Sequence, residues 1–156
     1  MPEKIKVALV GLGNCFSGLI QGIEYYSKNP SQKVTGIIHE NLRDYTIHDI
    51  EFVAGFDVGA NKIGKPINEA IYESPNMVDW INKNDMPKAN GNVYESPALD
   101  GVGIWVENKV KPIESGKSES ELREEIIKVL EETGTEIIVS YLPVGSEKAT
   151  QFWAQV

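Results

Sequence analysis

Residues 6–19 read KVALVGLGNCFSGL. A nearly continuous apolar run, Ile5–Val10, enters a pair of glycines and leaves into a helix-like pattern. Its length suits a strand buried on both faces, as in a parallel sheet. From Asn14 to Tyr26 the apolar positions Phe16, Leu19, Ile20, Ile23 and Tyr26 recur at helical spacing. Gly11 permits a tight turn after the strand, and Gly13 lets the backbone approach a pyrophosphate with no Cβ in the way. The following helix would offer free N–H groups and the positive end of its dipole. A third glycine, which usually allows close helix–strand packing, is absent, because Phe16 stands there. The stretch by itself is either a dinucleotide turn with an altered third position or a generic strand–turn–helix.

A second buried strand is expected at Glu51–Val58, "EFVAGFDV". An acid at its end, Asp57, is placed to accept hydrogen bonds from the 2′ and 3′ hydroxyls of an adenine ribose. It would repel a 2′-phosphate and so favour NAD over NADP. The alternative reading of Asp57 is a solvated strand-end acid. The distance from the glycines exceeds the usual gap of about 20 residues. An insertion at 27–50 accounts for the excess, and its segments "KVTGIIHE" and "YTIHDI" are expected to form a hairpin.

Pro66–Glu73 suits a short helix with proline in its first turn. Residues 74–117 read as loops around a short strand near Asn92–Glu95, with "LDGVG" (99–103) a glycine-rich turn. Ser118 and Glu121 carry the signature of a capping box. Leu122, Ile126, Ile127 and Leu130 then share a helical face, and Gly134 is a natural stop. Thr135–Pro143 is expected to be a third buried strand, and Ser146 the N-cap of another helix. The chain ends at Val156 within that helix, so the sequence is expected to be a piece of a longer protein.

Alternating strands and helices mean a doubly wound parallel α/β sheet, here one Rossmann-like domain over residues 1–156. Ligands of such sheets sit beyond the carboxyl ends of the strands. The segments of interest are therefore Gly11–Ser17, Asp57–Gly59 and Ser140–Ser146.

Composition narrows the function classes. The 156 residues suffice for one domain with a core, and 41% apolar with 24% charged residues is ordinary for a globular protein. A net charge of −8 disfavours nonspecific nucleic-acid binding. One cysteine cannot form an intrachain disulfide, and with no recognisable signal peptide this points to the cytoplasm. No apolar stretch approaches the ~18 residues of a membrane span. Cysteines and histidines are too few for a zinc site, so no metal is expected. Cys15 sits at a helix N-terminus without a histidine in a partner position, which favours packing or backbone contact over nucleophilic chemistry. His39 and His48 belong to the insertion. "ESELREEIIKVLEE" reads as a solvated helix face, and Trp80 and Trp105 as core plugs or interface anchors.

Three stretches together resemble the inositol-1-phosphate synthases, in their bacterial and archaeal branch. They are "VALVGLGNCFSGLIQGIEYY" (7–26), "EFVAGFDV" (51–58) with "LDGVG" (99–103), and "IIVSYLPVGSEKATQFWAQ" (137–155). The resemblance implies the amino-terminal NAD-binding part of such an enzyme, truncated before a second, catalytic and tetramerisation domain. In the family the glycine turn is followed by Asn and a small or polar residue, and Phe16 stands where relatives often carry a small one. By resemblance, Gly11, Gly13, Asn14 and Cys15 would hold the NAD pyrophosphate, and Asp57 the adenosine ribose. Asp100, Gly101, Ser140, Leu142 and Pro143 would line the cofactor, and Ser146 would face phosphate or nicotinamide. The implied activity is an NAD-dependent isomerisation of D-glucose 6-phosphate to 1D-myo-inositol 3-phosphate, by internal oxidation, aldol cyclisation and reduction. The family's catalytic lysines lie on the second domain, so no catalytic residue is assigned here and the 156-residue piece alone is expected to be inactive. The full-length protein would be a cytoplasmic homo-oligomer with no nucleic-acid or membrane partner. Two other readings stand beside this one: an NAD-dependent dehydrogenase domain of the homoserine or aspartate-semialdehyde type, and a stand-alone non-catalytic nucleotide-binding module.

Overall fold

The computed structural model describes residues 3–29, 36–102 and 107–156. The strands are β1 (Ile5–Val10), β2 (Ile50–Asp57), β3 (Asn92–Glu95) and β4 (Ile137–Ser140). The helices are α1 (Asn14–Lys28), α2 (Ile67–Ala70), α3 (Glu119–Thr133) and α4 (Glu147–Gln155). The sheet order is β3-β2-β1-β4, with every pair parallel. β1 is central, and the chain winds outward from it first through β2 and β3, then crosses back to β4. That reversal makes the fold doubly wound, with its switch point between the ends of β1 and β4.

Alternation along β1 builds two cores. Val7 and Leu9 face one side, with Phe16 and Ile20 of α1 and Ile67 and Ala70 of α2. Ala8 and Val10 face the other, with Ile126 of α3 and Phe152 and Trp153 of α4. Ala8, Leu9, Val10, Ala54 and Phe56 have no exposed surface, the two-sided burial that the apolar runs imply. The α3 boundaries follow the expected chemistry. Ser118 Oγ accepts from the Glu121 N–H, Glu121 Oε2 accepts from the Ser118 N–H at 2.8 Å, and Gly134 closes the helix at φ 65°.

β4 departs from the expectation of a buried strand. It lies at the sheet edge, with Ile137 46% and Ile138 36% exposed. Its apolar composition is that of an interior strand, but its outer side has no strand neighbour among the described residues. The expected hairpin in 27–50 also differs. α1 runs on to Lys28, residues 30–35 lie outside the described residues, and 36–49 hold one isolated antiparallel bridge between Leu42 and Tyr45. "YTIHDI" folds instead as a 3₁₀ turn, Ile47–Asp49, because Thr46 and Asp49 cap each other reciprocally just before β2. α2 is shorter than Pro66–Glu73, and Pro66 is its N-cap. Trp80 is 71% exposed against Gly18, so it plugs no core. Trp105 and Gly103 lie outside the described residues.

Candidate functional site

A cleft opens at the carboxyl ends of β1, β2 and β4, at the switch point. Its lining brings together Gly11, Gly13, Asn14, Cys15, Asp57, Gly101, Leu142 and Pro143 from the sequence-predicted set. Lys62, Pro75 and Asn76 complete one wall.

The glycine turn owes its shape to Gly11, which adopts φ +81°; a Cβ there would also lie 3.3 Å from the Tyr141 carbonyl oxygen. Gly13 is the N-cap of α1 and contributes no side-chain cap; a Cβ on it would meet nothing within 4 Å. No acid occupies the first turn of α1. The opening N–H groups of a helix have no intrahelical acceptor. Those of α1 therefore border the cleft with the positive end of the dipole and with no acid in the helix's own first turn. α3 and α4 contrast with this, since both are capped by side chains.

Phe16 explains the missing third glycine. It is fully buried, and its ring stacks on that of Tyr141 at 4.4 Å between centroids. The helix–strand contact that a glycine would make by close approach is made here by a ring that fills the space.

Asp57 is 7% exposed, so it is not a solvated acid. Its Oδ2 accepts from the Leu12 N–H and its Oδ1 from the Gly59 N–H, both at 2.8 Å. Lys62 Nζ lies 3.5 Å from Oδ2. Each carboxylate oxygen carries two lone pairs, so Oδ1 keeps acceptor capacity. Nothing in the sequence singled out Lys62 or Asn76: a lysine in "GANKIGK" and an asparagine in "ESPNM" carry no spacing signal.

Three sequence-predicted residues stand outside the cleft lining. Asp100 caps α4: its carboxylate accepts from the N–H groups of Lys148 and Ala149, each at 2.9 Å. Those N–H groups, Lys148's foremost, hold its carboxyl below the usual range. Ser146 sits at the N-cap position of α4, but its side chain makes no cap bond; Oγ donates to the Pro143 carbonyl at 2.6 Å. Asp100 takes over the capping that the sequence assigned to Ser146. Ser140 ends β4 in register with Val10, with its residue surface exposed. Gly101 lines the cleft but is also needed for packing, since a Cβ there would fall 3.4 Å from that of Ala149. Cys15 is an exposed free thiol at the cleft rim.

Among the described residues no group of three or more His, Cys, Asp or Glu could hold a metal. No helix there is long and apolar enough to cross a membrane. Every buried side-chain nitrogen and oxygen described has a hydrogen-bond partner.

No family model matches the chain. Individual proteins do. It is 40% identical over 153 residues to inositol-3-phosphate synthase of Mycolicibacterium smegmatis, covering 97% of this chain and 40% of that protein. The inositol-3-phosphate synthase of Corynebacterium glutamicum is 41% identical over 157 residues, with the same two coverages. Among solved structures, Ari2 superposes with a TM-score of 0.77 at 26% identity, covering 98% of this chain and 43% of Ari2. A myo-inositol-1-phosphate synthase-related protein of Thermotoga maritima shares the fold, with a TM-score of 0.65 at 21% identity. The chain thus spans about two fifths of the length of the relatives it matches. Over nearly its whole length the chain is a homologue of the inositol-3-phosphate synthases, and its own fold is Rossmann-like.

Proposed function

We propose that the chain is the NAD-binding part of an inositol-3-phosphate synthase, which converts D-glucose 6-phosphate to 1D-myo-inositol 3-phosphate. The observation that carries the reading is the meeting, in one switch-point cleft, of an α1 N-terminus without a side-chain cap and the strand-end acid Asp57. A diphosphate placed over Gly13 would find open space and the N–H groups of Asn14 and Cys15. An adenosine ribose placed at the end of β2 would find the remaining acceptor capacity of Asp57. Leu142 and Pro143 would form the apolar wall against the rest of the dinucleotide.

NAD⁺, when bound, supplies a hydride acceptor that is regenerated within the turnover. This chain's own residues bind and orient it. The groups that act on the sugar would come from the remaining three fifths of the family's length. Asp100, Ser140 and Ser146 have no direct cofactor role in this reading. Cytoplasmic residence and homo-oligomerisation of the full-length protein go with the same proposal.

Calorimetric titration with NAD⁺ and NADP⁺, with Asp57→Ala alongside, tests it. Saturable NAD⁺ binding, at least tenfold weaker NADP⁺ binding and loss in the variant are expected. Equal binding of both nucleotides, or none of either, would remove the reading.

A further inference from the structure

The glycine turn is gripped at its middle residue, Leu12. Leu12 donates its N–H to Asp57 and offers its carbonyl to two donors, Lys62 Nζ at 2.7 Å and Asn76 Nδ2 at 2.8 Å. Lys62 Nζ is also 3.4 Å from Asn76 Oδ1 and 3.5 Å from Asp57 Oδ2. The lysine is 4% exposed, yet it borders the cleft. The neighbouring segment is tied to the same turn, since the Met77 N–H donates to Asn14 Oδ1 at 2.8 Å.

Burying an ammonium is costly unless it is paired and hydrogen-bonded, and here it is both. Its place is informative. Asp57 and Lys62 are the only charged residues in the cleft lining among those described. Without the lysine, the pocket would present one uncompensated carboxylate close to where a diphosphate must sit. Asp57 is buried, so such a repulsion is weakly screened.

We infer that Lys62 is the positioning residue of this cofactor site: it holds the Leu12 carbonyl and cancels the Asp57 charge, so that the turn can accept a diphosphate. The inference rests on the cofactor reading above. It separates the two tasks of Asp57, which fixes the turn through Leu12 with one oxygen and keeps capacity for a ribose with the other.

The test compares two ligands on the 156-residue chain, NAD⁺ and adenosine; the second has the base and ribose without the diphosphate. Lys62→Met removes the charge and the donor, and Lys62→Gln removes the charge while keeping a donor for Leu12. Thermal unfolding is recorded for each variant. Both variants are expected to bind NAD⁺ at least tenfold more weakly, with adenosine changed less than threefold. Equal losses for both ligands, or unchanged NAD⁺ binding, would overturn the inference and leave the cofactor reading standing. Failure of both variants to fold would overturn it too, because Lys62 would then serve the whole fold rather than the turn. A wild-type chain that binds no NAD⁺ would overturn both.

Discussion

Phe16 and Tyr141 stack with ring centroids 4.4 Å apart and planes inclined by 27°. One residue belongs to the first turn of α1, and the other follows β4 and donates its N–H to the Val10 carbonyl. The stack joins the helix that follows the glycine turn to the segment after β4, across the switch point. Phe16→Ala should cost about 3–5 kcal/mol in urea unfolding, the range for a buried phenylalanine. A double-mutant cycle with Tyr141→Ala should return about 0.5–1.5 kcal/mol of coupling. A loss well under ~1 kcal/mol for Phe16→Ala would mean that the ring is not a core element.

The two turn glycines should separate fold from binding. Gly11→Ala forces a positive φ on an alanine beside the Tyr141 carbonyl, and should destabilise the chain by about 1–2 kcal/mol. Gly13→Ala adds a Cβ into open space at an ordinary negative φ, so its stability change should stay within ~1 kcal/mol. That same Cβ points where a diphosphate would approach, so NAD⁺ affinity should fall at least tenfold. Denaturant curves and calorimetry on the pair check both halves.

Acid should loosen α4. The native carboxyl of Asp100 is held below its ordinary value by the N–H groups of Lys148 and Ala149. A depressed native pKa contributes stability that is complete above the unfolded value and is lost as pH falls through the native one. Asp49 and Glu121 are shifted in the same direction by their bonds to Thr46 and Ser118. Asp100→Ala should therefore melt below wild type at pH 7, and the gap should close as pH drops past the carboxylate range. A gap independent of pH would show that the charge of Asp100 is not what caps α4.

The edge of β4 should be adhesive. Ile137 and Ile138 are exposed on a strand that carries no charge, and unprotected edges of this kind pair with other chains. Ile137→Lys should lower self-association in sedimentation experiments while changing stability by no more than ~0.5 kcal/mol. Unchanged association would place any self-contact elsewhere.

Much of this molecule was legible in its sequence, for identifiable reasons. Uninterrupted apolar runs give β1 and β2, and the Ser118/Glu121 pair with Gly134 bounds α3, because these signals are local. The glycine turn and the strand-end acid Asp57 are legible because each directly follows an apolar run, although the gap between them exceeds the usual spacing. The exposure of β4 is not legible, because composition shows whether a strand can be buried, not whether a neighbour covers it. In "YTIHDI" β-branched alternation points to a strand, and the Thr46/Asp49 capping pair three residues apart overrides it. Asp100 and Ser146 are placed at the cofactor by resemblance alone, and that Asp100 caps α4 is not legible, because the contact spans 48 residues of sequence. Lys62 and Asn76 were invisible because their partner is a backbone carbonyl about 50 residues or more away.

A crystal structure of the chain grown with NAD⁺ tests the central claim most directly. The account predicts the diphosphate over Gly13, within hydrogen-bonding distance of the Asn14 and Cys15 N–H groups, and the adenosine ribose at Asp57. A nucleotide bound anywhere else, or a cleft filled by the chain's own side chains at saturating NAD⁺, would contradict it.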